Sequence, residues 1–162
     1  MPYVIPELED RLVWAFRVGA SGPEYLEVPG TGLDVPQAWM DAVVAVAGDM
    51  GCLRFGREVV LDRLVWEFSI GAAYTVAIGW RPGSDLGGFT KGEGVPMGAD
   101  FGDAAVWVAD TVQGELAGYE FVQWPSHGRH LLRPRRVDGI PVWVDPITDQ
   151  MVCAIRELCA SN

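Results

Sequence analysis

Two stretches of the chain alternate hydrophobic and polar residues in the same order. Residues 10–20, DRLVWAFRVGA, return 52 positions later as residues 62–72, DRLVWEFSIGA, and eight of the eleven positions are identical. In both copies Leu, Trp, Phe and Val or Ile occupy alternate positions, which is the period of a half-buried strand. Because a repeat reports architecture, it predicts two similar halves, each with a pair of strands and a helix.

Two further stretches have the period of an amphipathic helix. The first is predicted to begin with Asp34 as its N-cap, with Gln37 completing the cap, and to end near Asp49. The second is predicted to run from Asp100 or Asp103 to about Gly118. Its apolar face consists of Ala105, Val108, Ala109, Val112 and Leu116, and Trp107 falls on the opposite, polar face.

The remaining patterns predict shorter strands. Their expected positions are 24–28, 53–60, 72–80, 131–136 and 140–144, whereas residues 149–159 fit either a helix or the return strand of a hairpin. The fold class predicted is α+β in one domain, 1–162, with a mainly antiparallel sheet of about six strands and two amphipathic helices packed on it. The predicted core contains Trp14, Phe16, Val43, Trp66, Phe68, Val112 and Leu116.

Residues 83–102 contain seven glycines and are predicted to form a flexible loop, longer than a compact domain usually carries. Gly83 and Gly88 have the spacing of a phosphate-binding P-loop. Phe89 and Thr90 follow, however, where that loop needs Lys and Ser or Thr, and Lys91 comes too late. The pattern therefore argues against nucleotide binding.

The chain is acidic, with 22 Asp and Glu against 12 Lys and Arg and a net charge of −10. This charge disfavours nucleic acid and anionic membranes as partners. No stretch approaches 18 apolar residues, and the start, 1–7, lacks the features of a secretory signal. Cys52, Cys153 and Cys159 are an odd number without a C-x-x-C pair, which predicts a reduced, cytoplasmic protein.

Catalytic motifs do not emerge from the sequence. There is no G-x-S-x-G elbow, and Ser126 beside His127 does not make a triad without a third, orienting group. A glycosidase needs two carboxylates across a cleft, and nothing selects a pair among the acids. The sequence therefore favours a protein that is not an enzyme.

Metal binding would draw on His127, His130, Cys153 and Cys159, with Asp145 as a substitute ligand. The spacings H-x2-H and C-x5-C differ from those of zinc sites, such as C-x2-C or H-x3–5-H. The sequence predicts neither a metal nor a cofactor.

Residues 126–136 form the densest cluster of polar donors in the chain, with His127, His130 and four arginines. Arginine suits an anion grip because its guanidinium binds in a bidentate way. The favoured alternative is that these arginines pair with the protein's own carboxylates. Trp107 is either a contact residue or covered by the glycine loop. The candidate partner- or ligand-binding residues are Trp107, His127, Arg129, His130 and Arg133.

The C-terminal third resembles small uncharacterised bacterial proteins. The residues that carry the resemblance are 109–113 (ADTVQ), Trp124-Pro125, His130 and 142–146 (VWVDP). Related versions carry cysteines flanking the Trp-Pro and final Pro positions, near which this chain has Ser126 and Asp145. The resemblance covers about fifty residues and implies no activity.

Two hypotheses of function follow. The first is a non-enzymatic interaction protein, such as an inhibitor, an immunity-type protein or an adaptor, whose acidic surface binds a partner with a basic surface. The second is a small-molecule-binding domain or enzyme, with a tryptophan-lined pocket closed by residues 83–102 and polar groups from the His/Arg cluster. The repeat also suggests a homodimer formed through sheet edges.

Overall fold

A computed structural model describes residues 11–71, 74–83, 85–92 and 95–160. The protein is α+β, with a five-stranded antiparallel sheet in the order β2-β1-β4-β5-β6. Its strands are β1 (Leu12–Gly19), β2 (Gly22–Glu27), β4 (Trp66–Ile70), β5 (Val76–Trp80) and β6 (Phe89–Lys91). The prediction of about six strands in one sheet is not confirmed.

Three smaller antiparallel sheets complete the strands of the described part of the chain. One has three strands, β10 (Arg133–Val137), β11 (Ile140–Asp145) and β12 (Gln150–Ala154). The others pair β3 (Phe55–Gly56) with β7 (Val122–Gln123), and β8 (Ser126–His127) with β9 (His130–Leu131). The ambiguous residues 149–159 thus supply a strand that returns along β11.

The two helices are α1 (Gln37–Asp49) and α2 (Phe101–Tyr119). α2 begins next to Asp100, one of its two predicted starts: the Asp100 side chain caps the helix and accepts a hydrogen bond from the Asp103 N–H at 2.9 Å. The cap predicted for α1 is wrong: the N-cap residue is Pro36, without a side-chain hydrogen bond. A residue before proline is disfavoured in helical conformation, so Val35 prevents an earlier start. Neither helix is long and apolar enough to cross a membrane.

The two repeat copies lie side by side in the sheet. Trp14 pairs with Phe68 and Phe16 pairs with Trp66 across β1 and β4. The positions 10 and 72 at the ends of the repeat, and the N-terminal segment assessed as a signal, lie outside the described residues. The repeat therefore builds two neighbouring strands, while the division into two similar halves stays a prediction.

The predicted core residues are all buried, and one hydrophobic cluster joins the large sheet to both helices. The ring of Trp39 on α1 lies 5.7 Å from the ring of Phe68 on β4. At about 25 cal/mol per Å² of apolar area, such large rings contribute strongly to stability.

Part of the glycine-rich segment is ordered into the sheet. Residues 89–91 form β6, which pairs with β5. A Cβ placed on Gly79 would lie 1.8 Å from the Phe89 carbonyl oxygen, so only glycine permits this approach. The strand predicted over residues 53–60 is shorter in the structure. Of its residues, only Phe55 and Gly56 pair with another strand, and that strand lies outside the large sheet.

The prediction of reduced thiols is wrong for two cysteines. Cys52, just after α1, and Cys159, near the C-terminus, form a disulfide across a sequence separation of 107. Cys153 is buried on β12 and lies outside this disulfide. The disulfide joins the last described residues to the end of α1.

Candidate functional site

Three side chains with metal-ligating and titratable groups meet at one end of the small sheets. His127 on β8 and His130 on β9 face each other across a short hairpin, in which they are register partners. Gly128 makes the turn with a φ of +69°, a conformation that glycine adopts without strain. Asp145, the last residue of β11, supplies the third group.

The distances within this cluster are short. His130 Nε2 lies 3.1 Å from Asp145 Oδ1, and His127 Nδ1 lies 3.6 Å from Asp145 Oδ2. One potential ligand atom from each of the three residues lies within 4.8 Å of the others. The side chains of His127 and His130 are 55% and 33% exposed, against 12% for Asp145, so the carboxylate forms the floor and solvent reaches the imidazoles.

Asp145 is held in place by the turn that follows it. Its Oδ1 accepts hydrogen bonds from the backbone N–H groups of Ile147 at 2.8 Å and Thr148 at 3.3 Å. The Ile147 hydrogen bond is the largest cause that keeps the pKa of Asp145 below its ordinary value, and His130 and Thr148 act in the same direction. The carboxylate is therefore fixed in the charged form.

Buried Gln113 fixes the flanks of the β8–β9 hairpin to α2. Its Nε2 donates to the carbonyl oxygens of Leu132 at 2.5 Å and Trp124 at 3.3 Å. Its Oε1 accepts from Arg133 Nη1 at 3.1 Å. Arg133, a candidate binding residue, thus lies against Gln113 and supports the hairpin.

The other arginines of the cluster pair mostly with carboxylates, as the favoured alternative predicted. Arg135 contacts Asp149 at 2.6 Å. Arg136 contacts both Asp100 and Asp103 at 2.7 Å, which ties β10 to the start of α2. Arg129 is exposed at the tip of the β8–β9 hairpin. The four arginines therefore do not form one anion-binding site.

Trp107 packs against residues of the core. It is half-buried, and its ring meets the ring of Trp39 edge-on at 5.7 Å. Trp39 Nε1 in turn donates to the Met97 carbonyl oxygen of the glycine-rich segment at 3.1 Å. The outward-facing Trp107 that the helical wheel predicted is therefore packed against the core.

A different set of aromatic residues is exposed. We call Phe55, Tyr119 and Phe121 the aromatic patch; their exposures are 73%, 75% and 72%. Phe55 lies on β3, Phe121 immediately precedes β7 and Tyr119 is the last residue of α2. Beside the β3–β7 pairing, the Arg57 N–H donates to the Phe121 carbonyl oxygen at 3.2 Å. Arg57 also contacts Glu120 at 2.6 Å, so the backbone beneath the patch is tied down.

Tryptophans line two cavities. One, of about 340 Å³, is bordered by Trp14, Tyr74, Met97 and Asp34, and a second, of about 710 Å³, lies beside Trp66. The residues that line both come from 12–97. The His/Arg polar groups expected in a tryptophan-lined pocket are thus not brought to either cavity.

The sequence hypotheses missed buried Asp49, the last residue of α1. Its carboxylate accepts hydrogen bonds from Trp143 Nε1 at 2.8 Å, the Arg156 N–H at 2.8 Å and the Leu158 N–H at 3.1 Å. Burial is the largest effect on its pKa and raises it. One available signal was an acidic residue at a helix C-terminus, where the helix dipole disfavours it.

Comparison with known proteins finds no matching family model, no matching curated protein and no matching solved structure.

Proposed function

We propose that this protein is a non-enzymatic interaction protein that binds a protein partner with a basic surface. The observation that carries the proposal is the aromatic patch. Phe55, Tyr119 and Phe121 each leave more than two thirds of their surface in water. Large aromatic side chains are enriched at interface hot spots, where burial by a partner yields most of the binding energy.

The charges around the aromatic patch are mixed, because the exposed Arg54 and Arg57 flank Phe55, but nearby carboxylates offer contacts to a basic partner. Glu58 is exposed three residues after Phe55, and Glu115 lies one helical turn before Tyr119 on α2. Burial, and then the neighbouring Glu120, raise the pKa of Glu115. A positive group brought by a partner would offset both effects. With a net charge of −10, the whole chain attracts such a partner over a longer range.

Inhibitors, immunity-type proteins and adaptors all act by occupying a partner's surface, and the proposal covers these classes. Phe55 and Phe121 lie on backbone segments joined by the β3–β7 pairing, so little ordering is required before binding. A homodimer remains a further proposal from the sequence, whereas the Cys52–Cys159 disulfide removes the ground, reduced thiols, on which a cytoplasmic location was predicted.

Binding should depend on the aromatic patch and on salt. We expect the double variant Phe55→Ser/Phe121→Ser to weaken partner binding at least about 30-fold, because two hot-spot side chains are removed. Raising the salt from low to high concentration should weaken wild-type binding about 10-fold. The measurement is quantitative capture from extracts of the native host, followed by titration of the captured protein in purified form.

Ile147→Ser is the matched control, since Ile147 is 73% exposed but lies in the β11–β12 turn. It should bind like the wild type. A captured protein that is acidic, or that binds the double variant and the wild type equally, would refute the proposal. Capture of a second copy of the chain through the same residues would replace it with a homodimer.

The 340 Å³ cavity supports a second candidate function, the binding of a small ligand. Its volume falls in the range of ligand pockets. Trp14 and Met97 give apolar walls, and Asp34 is an acidic group at its border. These features fit a small aromatic amine.

Benzylamine should therefore raise the melting temperature of the wild type by a few degrees at saturating concentration. Met97→Trp should abolish the shift because it fills the cavity. Met151→Trp, at an exposed position on β12, should retain it. A shift of equal size in all three proteins would show that benzylamine binds elsewhere.

A further inference from the structure

We infer that His127, His130 and Asp145 form a binding site for a divalent transition-metal ion, with zinc as the reference case. The inference is independent of the proposed partner interaction, because none of these residues belongs to the aromatic patch. It reverses the expectation from sequence spacing, because the third ligand comes from a different sheet.

The two nitrogen-to-oxygen separations in the cluster are close to those of a first coordination sphere, and the two histidines each offer a nitrogen within 4.8 Å of the other. Two ligand atoms bound to one tetrahedral zinc ion at about 2.1 Å lie about 3.4 Å apart. The two nitrogen-to-oxygen distances, His130 Nε2 to Asp145 Oδ1 and His127 Nδ1 to Asp145 Oδ2, are 3.1 Å and 3.6 Å. Because these two distances end on different oxygens of Asp145, rotation of the exposed His127 side chain would bring all three groups onto one ion.

The ligand set selects the class of ion. Two imidazole nitrogens suit Zn²⁺, Cu²⁺, Fe²⁺ or Ni²⁺, whereas Mg²⁺ and Ca²⁺ prefer oxygen ligands throughout. Three protein ligands leave a fourth position of the ion for water or an anion, which is the arrangement of an open site. The exposure of His127 gives solvent access to that position.

The surrounding contacts hold the ligands in place. The N–H groups of Ile147 and Thr148 orient the Asp145 carboxylate. The Leu132 N–H donates to the Pro125 carbonyl oxygen at 2.9 Å, and Gln113 holds the Leu132 carbonyl oxygen. Hydrogen bonds of this kind around ligands tune metal sites. The hairpin and the turn therefore present both parts of the site on fixed backbone.

Titration of the chelator-treated chain with Zn²⁺ tests the site directly. We expect one equivalent to bind in the micromolar range or more tightly, and Mg²⁺ to leave the protein unchanged. Because the chain has only two histidines, its imidazole ¹⁵N spectrum reports each of them separately. Zn²⁺ should shift the Nδ1 signal of His127 and the Nε2 signal of His130 together.

Variants identify the ligands. His127→Ala and Asp145→Asn should each weaken Zn²⁺ binding at least about 100-fold, since loss of a direct ligand costs no less than loss of a supporting contact. Asp149→Asn is the control: this exposed carboxylate lies in the same turn but pairs with Arg135, and its loss should leave the affinity unchanged.

Should Asp145→Asn fail to fold, His127→Ala decides the question, because His127 is the most exposed of the three. Imidazole signals that do not move with Zn²⁺, binding that saturates only in the millimolar range, or an unchanged affinity in His127→Ala would each overturn the inference. The cluster would then be a hydrogen-bonded turn anchor.

Discussion

Replacing Asp49 with alanine should lower the free energy of unfolding by about 4 kcal/mol. The substitution removes the acceptor for Trp143 Nε1 and for the backbone N–H groups of Arg156 and Leu158. Each buried donor left without a partner costs about 1–3 kcal/mol, partly relieved where water enters. The measurement is urea unfolding, followed by tryptophan fluorescence.

Asp49→Ala should also loosen the C-terminal segment before the whole protein unfolds. Asp49 holds residues 156 and 158 against the end of α1, so protease should cut the C-terminal segment of the variant faster than that of the wild type. Asp41→Ala is the control within the same helix, because Asp41 has one exposed contact, from Gln37 Nε2 at 2.7 Å. Equal losses for both variants would mean that the carboxylate network contributes nothing specific.

Loss of the disulfide should lower the free energy of unfolding by about 3–4 kcal/mol. The bond joins cysteines separated by 107 positions, and a long loop closed in the unfolded chain loses much conformational entropy. Both the variant Cys52→Ala/Cys159→Ala and the wild type with reductant should show this loss in urea unfolding.

Reductant should leave the free energy of unfolding of the double variant unchanged. That variant is therefore the control for effects of reductant other than breaking the disulfide. Alkylation of the denatured wild type should modify one thiol before reduction and three afterwards, since Cys153 lies outside the bond. Three reactive thiols without reductant would show that the bond does not form in the purified protein.

The elements predicted correctly are those in which many side chains follow one hydrophobic period. The alternation around Trp14 and Trp66 places one face of β1 and β4 in the core, and the apolar stripe of Val108, Val112 and Leu116 buries one face of α2. Such periodicity reports burial, which decides these elements. The same reasoning missed β6, because its three residues have too few positions to show a period.

The candidate site, too, could be predicted from the sequence only in part. The sequence named His127 and His130 as candidate metal ligands with Asp145 as a substitute, but it could not show that Asp145 meets the hairpin, because the pairing of β10 with β11 decides that approach. No pattern in the sequence predicted the aromatic patch. Phe55 lies on one of two paired two-residue strands and Phe121 immediately precedes the other, and their exposure depends on how those strands meet.

The two edges of the large sheet limit how copies of the chain can aggregate. One edge, β2, contains Pro23 and the exposed acidic residues Glu24 and Glu27. Proline and like charges both discourage the addition of an identical strand. The other edge, β6, has only three residues. Addition of a second copy to the large sheet is therefore disfavoured at both of its edges, so a dimer is expected to form elsewhere on the molecule.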